Sequence, residues 1–363
     1  MRVTDKIKNN RLLLFLLGYH LIFTYFSWNY FAKNGGDAAF YWFQTDASRN
    51  RAFSDLFSYG SDVILLLNYL FAKVLQWDIL FGFLLYSIIG YLGIIQFYQL
   101  GKILLRGRTT LFGIDCLFLL LLLPNLHFWT AGLGKEALCF LLIATVLLEI
   151  VRHRYQSFPL ILSFLLLLAI RPHIALFLLT AIALVCFFST SLKPKQKMIF
   201  GFFFLIGTAV AVYMLLQLSE IRYLDWNRIQ RFNEYSLVSF KDSGSYVPML
   251  EYSYPYKLFT FWFRPFPGEY TTFLGWGLGL ENIAWLLLHG IALFLVVRKW
   301  QQIHFTLVMK IIVLFAVISS VIIVQRYSGF GIFARTKIMM QPFAGLVLLW
   351  ILTFVPPQTK ANT

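Results

Sequence analysis

Charge is scarce in this sequence. Only 13% of its 363 residues are Asp, Glu, Lys or Arg, where soluble domains carry about 25%. Acidic residues are the scarcest, 16 against 31 Lys and Arg. That shortage excludes a solvated globule and an acidic disordered chain. Cysteine is limited to Cys116, Cys139 and Cys186, all in apolar runs without CxxC spacing. This excludes a disulfide scaffold and leaves the thiols as packing residues. The six histidines are dispersed, so no metal cluster is expected. Walker A, HExxH, HxxEH and GxSxG sequences are all missing. A built-in ATPase, zinc proteases of those types and a nucleophile-elbow hydrolase are therefore not expected. The ends, Met1-Arg2 and a C-terminus without a CaaX box, carry no lipidation signal. No internal repeat or low-complexity segment is visible, and no matched pair of broken helices points to a secondary transporter.

What the chain has in excess is apolar surface: 59% hydrophobic residues, 19% aromatics and a mean hydropathy of +0.72. A spanning helix needs roughly 20 mostly apolar residues. Clear runs lie at about 12–31, 79–99, 174–191, 198–217, 279–297, 306–325 and 338–355. Shorter or interrupted runs lie at 111–126, 136–151 and 157–170. The first follows MRVTDKIKNNR, is too long for a signal-peptide core and meets no small-residue cleavage site. The expectation is an all-α polytopic membrane protein, one domain over residues 1–363, with about ten transmembrane helices.

In a soluble protein the net charge of +15 would read as a nucleic-acid surface. In a membrane protein it must first be divided between two faces. Alternating the ten runs with the N-terminus inside puts a basic group in every inner segment. These are Arg2, Lys6, Lys8 and Arg11; Lys102, Arg106 and Arg108; Arg152 and Arg154; Lys193, Lys195 and Lys197; Arg298 and Lys299; and Lys360. Both termini are then cytoplasmic. The other face receives thirteen carboxylates against fifteen cations, spread over two larger loops, about 32–78 and 218–278, and three short tips. Polar chemistry is expected there. The first loop continues after Asp62 as VILLLNYLFAKVLQW, which reads as an interfacial or re-entrant helix. In the second loop a helix over IRYLDWNRIQRFNEYSLVSF would bring Arg222, Trp226 and Arg228 near one another.

Charges at membrane depth cost about 2.5–3.5 kcal/mol or more, so each is a functional candidate. In GGDAAFYW, Gly35 and Gly36 free the backbone, Asp37 opens a helix and Tyr41 shares its face at i+4. Asp37 is either a plain N-cap or a carboxylate that deprotonates an acceptor hydroxyl or holds a divalent ion such as Mg or Mn. PNLHFWTAGLGKEAL offers His127, Trp129, Lys135 and Glu136 at a tip between short runs, which points into a cavity. Lys135 and His127 are read as phosphate ligands and Glu136 as a second catalytic carboxylate; the plainer reading is a solvated helix start. AIRPHIAL carries Arg171 and His173 between long apolar runs, as an anion site or a snorkelling anchor. FWFRPFPGEY sets Arg264 and Glu269 among Trp262, Phe263, Phe266 and Tyr270, suited to phosphate and sugar or to an interfacial aromatic belt. QRYSGFGIFARTK places Arg326, Tyr327, Arg335 and Lys337 at an outer turn, against the positive-inside trend. A polyanionic ligand such as a lipid pyrophosphate would account for them.

GGDAAFYW at 35–42 and the interfacial stretch at 62–77 resemble features of the GT-C class of integral-membrane glycosyltransferases. The segments at 124–136, 263–269 and 326–337 are similar to those of bacterial membrane proteins of surface-polysaccharide synthesis. The resemblance implies a bacterial inner-membrane transferase that takes a polyprenyl-phosphate-linked sugar donor and a glycan or lipid acceptor at the extracytoplasmic face. Polysaccharide-assembly proteins are implied partners. Of the family's residues, only Asp37 carries over well, as the acid/base or metal-linked carboxylate, and no contiguous DxD accompanies it. Lys135, Arg171, His173, Arg264, Arg326, Arg335 and Lys337 are then the candidates for the donor phosphate. Tyr41, Trp129, Trp262, Glu269 and Tyr327 are the candidates for sugar and acceptor. The arginines also resemble those of polymerases that join lipid-linked repeat units. A lipid-linked glycan flippase is a third reading.

Overall fold

The computed structural model describes residues 3–43, 56–111, 113–189, 193–218 and 225–354. The long first helix α1 (Val3–Asn34) is followed by the short α2 (Asp37–Phe43). Next come α3 (Ser61–Asn68), a π-helical stretch Tyr69–Val74, and α4 (Ile79–Leu104), capped by the Asp78 carboxylate on the Leu80 N–H. A two-residue hairpin, β1 (Thr110–Leu111) against β2 (Ile114–Asp115), precedes α5 (Cys116–Leu121) and α6 (Pro124–Thr130). The apolar helices α7 (Lys135–Val151), α8 (Phe158–Ile170), α9 (Pro172–Phe188) and α10 (Pro194–Leu218) follow. The polar stretch holds α11 (Trp226–Val238) and α12 (Tyr254–Phe263). The chain ends with α13 (Phe273–Lys299), α14 (Leu307–Ile323), α15 (Phe330–Lys337) and α16 (Gln341–Phe354).

The all-α expectation holds. Three helical segments are long and apolar enough to cross a membrane: Asn10–Asn34, Ile79–Leu104 and Phe273–Gln302. Two sharply bent pairs, Pro124–Thr130 with Lys135–Val151 and Phe330–Lys337 with Gln341–Thr353, raise that number to five if each is one span. Phe158–Ile170, Pro172–Phe188, Phe204–Gln217 and Leu307–Ile323 are apolar but shorter. Every predicted run except 111–126 falls on one helix. That run breaks because the Asp115 side chain caps a six-residue helix through the Phe118 N–H, and Pro124 opens a new one. Proline disfavours helical geometry in the residue before it, so the chain turns at Leu123.

The core lies where α4 packs along α7 and under α6. Gly90 makes this approach possible: a Cβ there would stand 1.9 Å from the Thr130 carbonyl oxygen. Small residues allow such backbone contact between apolar helices. The stretch 62–77 does not simply lie on the surface, because α3 buries Val63, Ile64, Leu65 and Asn68 against the body. Large apolar side chains instead stand exposed along the outer helices: Phe15, Ile22 and Phe26 on α1, and Leu280, Leu287, Leu293 and Val297 on α13. Soluble monomers rarely expose apolar patches on this scale.

Candidate functional site

At the end of α1 the chain reverses through Gly35 and Gly36, with φ of 69° and 121°, values that side chains with a Cβ rarely adopt. The turn delivers Asp37 as the first residue of α2. Its carboxylate does not cap the helix; Oδ2 accepts a hydrogen bond from Arg335 Nη1 at 2.7 Å. Arg335 Nε donates to Glu136 Oε1 at 2.6 Å, and Arg171 Nη2 donates to the same oxygen. Four residues far apart in sequence thus form one continuous chain of charges. Glu136 is 3% exposed and Arg171 6% exposed. A snorkelling anchor would reach water, so Arg171 is not one; its turn, a single residue between α8 and α9, holds it inside.

Asp37, Arg171 and Arg335 line a cavity of about 360 Å³ together with Tyr41, Ser61, Lys135, His173 and Tyr327, and Glu136 holds the two arginines from behind. Lys135 Nζ donates to Ser61 Oγ at 3.0 Å. Burial, reinforced by the negative charges of Asp37 and Glu136, pushes the Tyr41 phenol up to about 12, so it stays a proton donor across physiological pH. The Arg335 guanidinium lies over the Trp129 ring, 5.9 Å from its centroid. Arg171 Nε and the His173 Nε2 are buried and find no partner among the described residues. A buried donor without an acceptor costs about 1–3 kcal/mol, so Arg171 Nε in this wall is suited to receive an acceptor oxygen.

Of the sequence candidates, Asp37, Tyr41, Lys135, Arg171, His173, Tyr327 and Arg335 line the cavity, and Glu136 and Trp129 reach it through Arg335. Six others lie elsewhere. Arg264 and Glu269 form a second cluster: Arg264 Nε donates to Glu269 Oε1 at 2.9 Å, and its guanidinium lies within 6.0 Å of the Tyr252, Tyr256 and Phe330 rings. Glu269 also accepts from the Phe266 N–H at 2.6 Å. Arg326 lies 3.9 Å above the Phe232 ring. Lys337, 1% exposed, points inward and donates to Asn282 Oδ1 at 2.8 Å and to the Trp262 carbonyl at 3.3 Å. Trp262 itself donates to Ser320 Oγ at 2.8 Å. His127 is no phosphate ligand: its Nδ1 meets His20 Nδ1 at 2.9 Å and its Nε2 meets the Leu121 carbonyl at 2.6 Å, deep in the helix packing. Arg222 lies outside the described residues.

Sequence reasoning missed Ser61, whose only signal was its place at the start of a helix beside Gly60. It also gave no part to Glu281, which accepts from the Asn125 N–H at 3.0 Å and from Trp285 Nε1 at 3.3 Å. A lone carboxylate inside the apolar run of α13 was the available signal. The donor set does not suit a divalent cation. The Arg335 guanidinium occupies the place between Asp37 and Glu136 that a bridging metal would need. In comparison with known proteins, no family model, no curated protein and no solved structure matches the chain.

Proposed function

We propose that the chain is a multi-pass membrane transferase that takes a polyprenyl-phosphate-linked sugar at the extracytoplasmic end of its helix bundle and passes it to a glycan or lipid hydroxyl. In this reading all ten apolar runs cross or enter the bilayer, both termini are cytoplasmic, and the shorter helices are sheltered by their neighbours. The observation that carries it is the cavity beside Asp37: three cations, Lys135, Arg171 and Arg335, line it with one carboxylate, and Arg171 Nε is a buried donor without a partner among the described residues. Such a wall suits a phosphate between membrane and water.

The chemistry follows from the pairing. A donor phosphate oxygen approaching Arg335 competes with Asp37 for Nη1 and leaves the Asp37 carboxylate free. The acceptor oxygen attacks C1 of the sugar, the bond from C1 to the phosphate oxygen breaks, and its electron pair stays on the phosphate. The acceptor proton passes to Asp37. Arg171, Lys135 and His173 meet the charge left on the phosphate, and Tyr41, Trp129 and Tyr327 flank the sugar. Glu136, held by two guanidiniums, positions them and takes no proton.

A second reading, a polymerase joining lipid-linked repeat units, draws on the convergence of two arginines upon Glu136. The deciding experiment supplies a labelled polyprenyl-phosphate sugar to the protein in proteoliposomes and looks for a glycosylated product. Transfer lost in Asp37→Asn supports the base mechanism. Transfer nearly intact in Asp37→Asn but abolished in Arg335→Lys supports the polymerase. No covalent product from wild type removes both.

A further inference from the structure

Helix α9 starts at the cavity with Pro172 and His173 and ends about 22 Å away, at 1.5 Å per residue, with Phe188. Antiparallel to it, α14 starts at that far end and finishes just before Tyr327. Where α9 ends and α14 begins, the two helices part. Between them lies a groove of about 680 Å³, floored by Leu184, Phe188, Phe305 and Leu314 and edged by Ser189 and Lys310.

Lys310 is exposed, and its side chain forms no hydrogen bond or ion pair among the described residues. Among the described residues no carboxylate lines the groove. Lys197 sits at its end, donating to the Phe187 carbonyl at 3.0 Å, and Lys193 and Lys195 flank it in sequence. Apolar walls with an unneutralised cation at the rim match one ligand chemistry: fatty chains attached to an anionic head. We propose that this groove binds an anionic glycerophospholipid of the cytoplasmic leaflet, its chains between α9 and α14 and its phosphate on Lys310. The polyprenyl donor is a poor occupant, because its phosphate would lie one α9 length away at the other end of the bundle. Basic pockets between helices on the cytoplasmic side are established homes for acidic lipid heads. The inference rests on the membrane-spanning orientation proposed above.

The full-length protein, purified in detergent, is offered equal amounts of phosphatidylglycerol and phosphatidylcholine, and bound lipid is counted by native mass spectrometry. Phosphatidylglycerol should be retained in preference to phosphatidylcholine, and Lys310→Ala should lower its retention about fivefold, the value of one basic group near a membrane surface. Lys310→Glu should lower it further, and Lys241→Ala, between α11 and α12, should leave it unchanged. Equal retention of the two lipids, or phosphatidylglycerol bound by Lys310→Glu as by wild type, overturns the proposal. So does a groove found filled by a second copy of the chain. Carbonate extraction of wild-type membranes is read in parallel. Protein that stays in the pellet without lipid preference defeats the lipid site alone; protein released by carbonate defeats the spanning reading with it.

Discussion

One oxygen of Glu136 receives both Arg171 and Arg335, and Asp37 takes the remaining end of Arg335. The two carboxylates look alike in sequence, yet their surroundings assign them different work. The Asp37 side chain is 54% exposed, and the Glu136 side chain only 4%. Asp37→Asn should therefore leave the detergent melting temperature unchanged and lower transfer by about 10²–10⁴-fold, the usual worth of a positioned base. Glu136→Gln leaves the buried Arg171 guanidinium without its counter-charge and Arg335 with Asp37 alone, a change worth about 3–5 kcal/mol. It should depress melting sharply, and a variant melting like wild type would remove Glu136 from its structural part. Glu269 offers a pH test away from the cavity. Burial raises its pKa, but the Arg264 hydrogen bonds, the Phe266 N–H and the Arg264 charge outweigh that and hold it below the usual carboxylate range. A depressed pKa contributes stability above the unfolded value and loses it as pH falls through the folded one. Glu269→Gln should thus melt a few degrees below wild type at pH 7, with the gap closing in acid below about pH 4. A gap that persists in acid would locate the effect elsewhere. Asp37 and Tyr41 were legible in the sequence because i and i+4 share a helix face. The partner of Asp37 was not, since 298 residues separate it from Arg335 and no local pattern links them.

At the scale of elements, apolar length was readable and its interruptions were not. The run 111–126 has a spanning composition, but Asp115 and Pro124 divide it, and α6 turns by 111° into α7. That turn is what carries Lys135 to the cavity and Glu136 to the arginines that line it. It depends on α4 approaching α6 closely enough for Thr130 to sit over Gly90. Gly90→Ala should push these helices apart. Overpacking of this kind costs about 1–3 kcal/mol. Because α6 leads directly into Lys135, transfer should fall along with melting temperature, although Gly90 touches no cavity residue. Measuring both on one purified sample separates the outcomes; unchanged melting would mean that the helices accommodate the methyl. The glycine was visible in sequence, but α4 has several, and only the packing says that Gly90 makes the tightest backbone contact.

For the whole molecule, the open question is how many of the apolar helices cross. Three helices, or five with each bent pair as one span, are long and apolar enough to cross, whereas the proposed alternation of charge uses ten. The difference rests on short helices such as α8, whose thirteen residues rise only about 20 Å against a hydrocarbon core of roughly 30 Å. A short helix can still cross where neighbours surround it and the bilayer thins locally, and α8 packs between α7 and α9. The charges on its two sides support this: Arg152 and Arg154 precede it, while Arg171, which follows it, is neutralised by Glu136 inside the protein. The test follows from that asymmetry. In a background with Cys116, Cys139 and Cys186 replaced by Ser, single cysteines are placed at Arg154, before α8, and at Asp242, between α11 and α12. A membrane-impermeant maleimide should label the Asp242 position in intact cells and the Arg154 position only after the membrane is opened. Labelling of both positions from the outside would leave α7 and α8 without an inner end. The cavity around Asp37 would then have no assigned face, and the donor lipid no direction of approach.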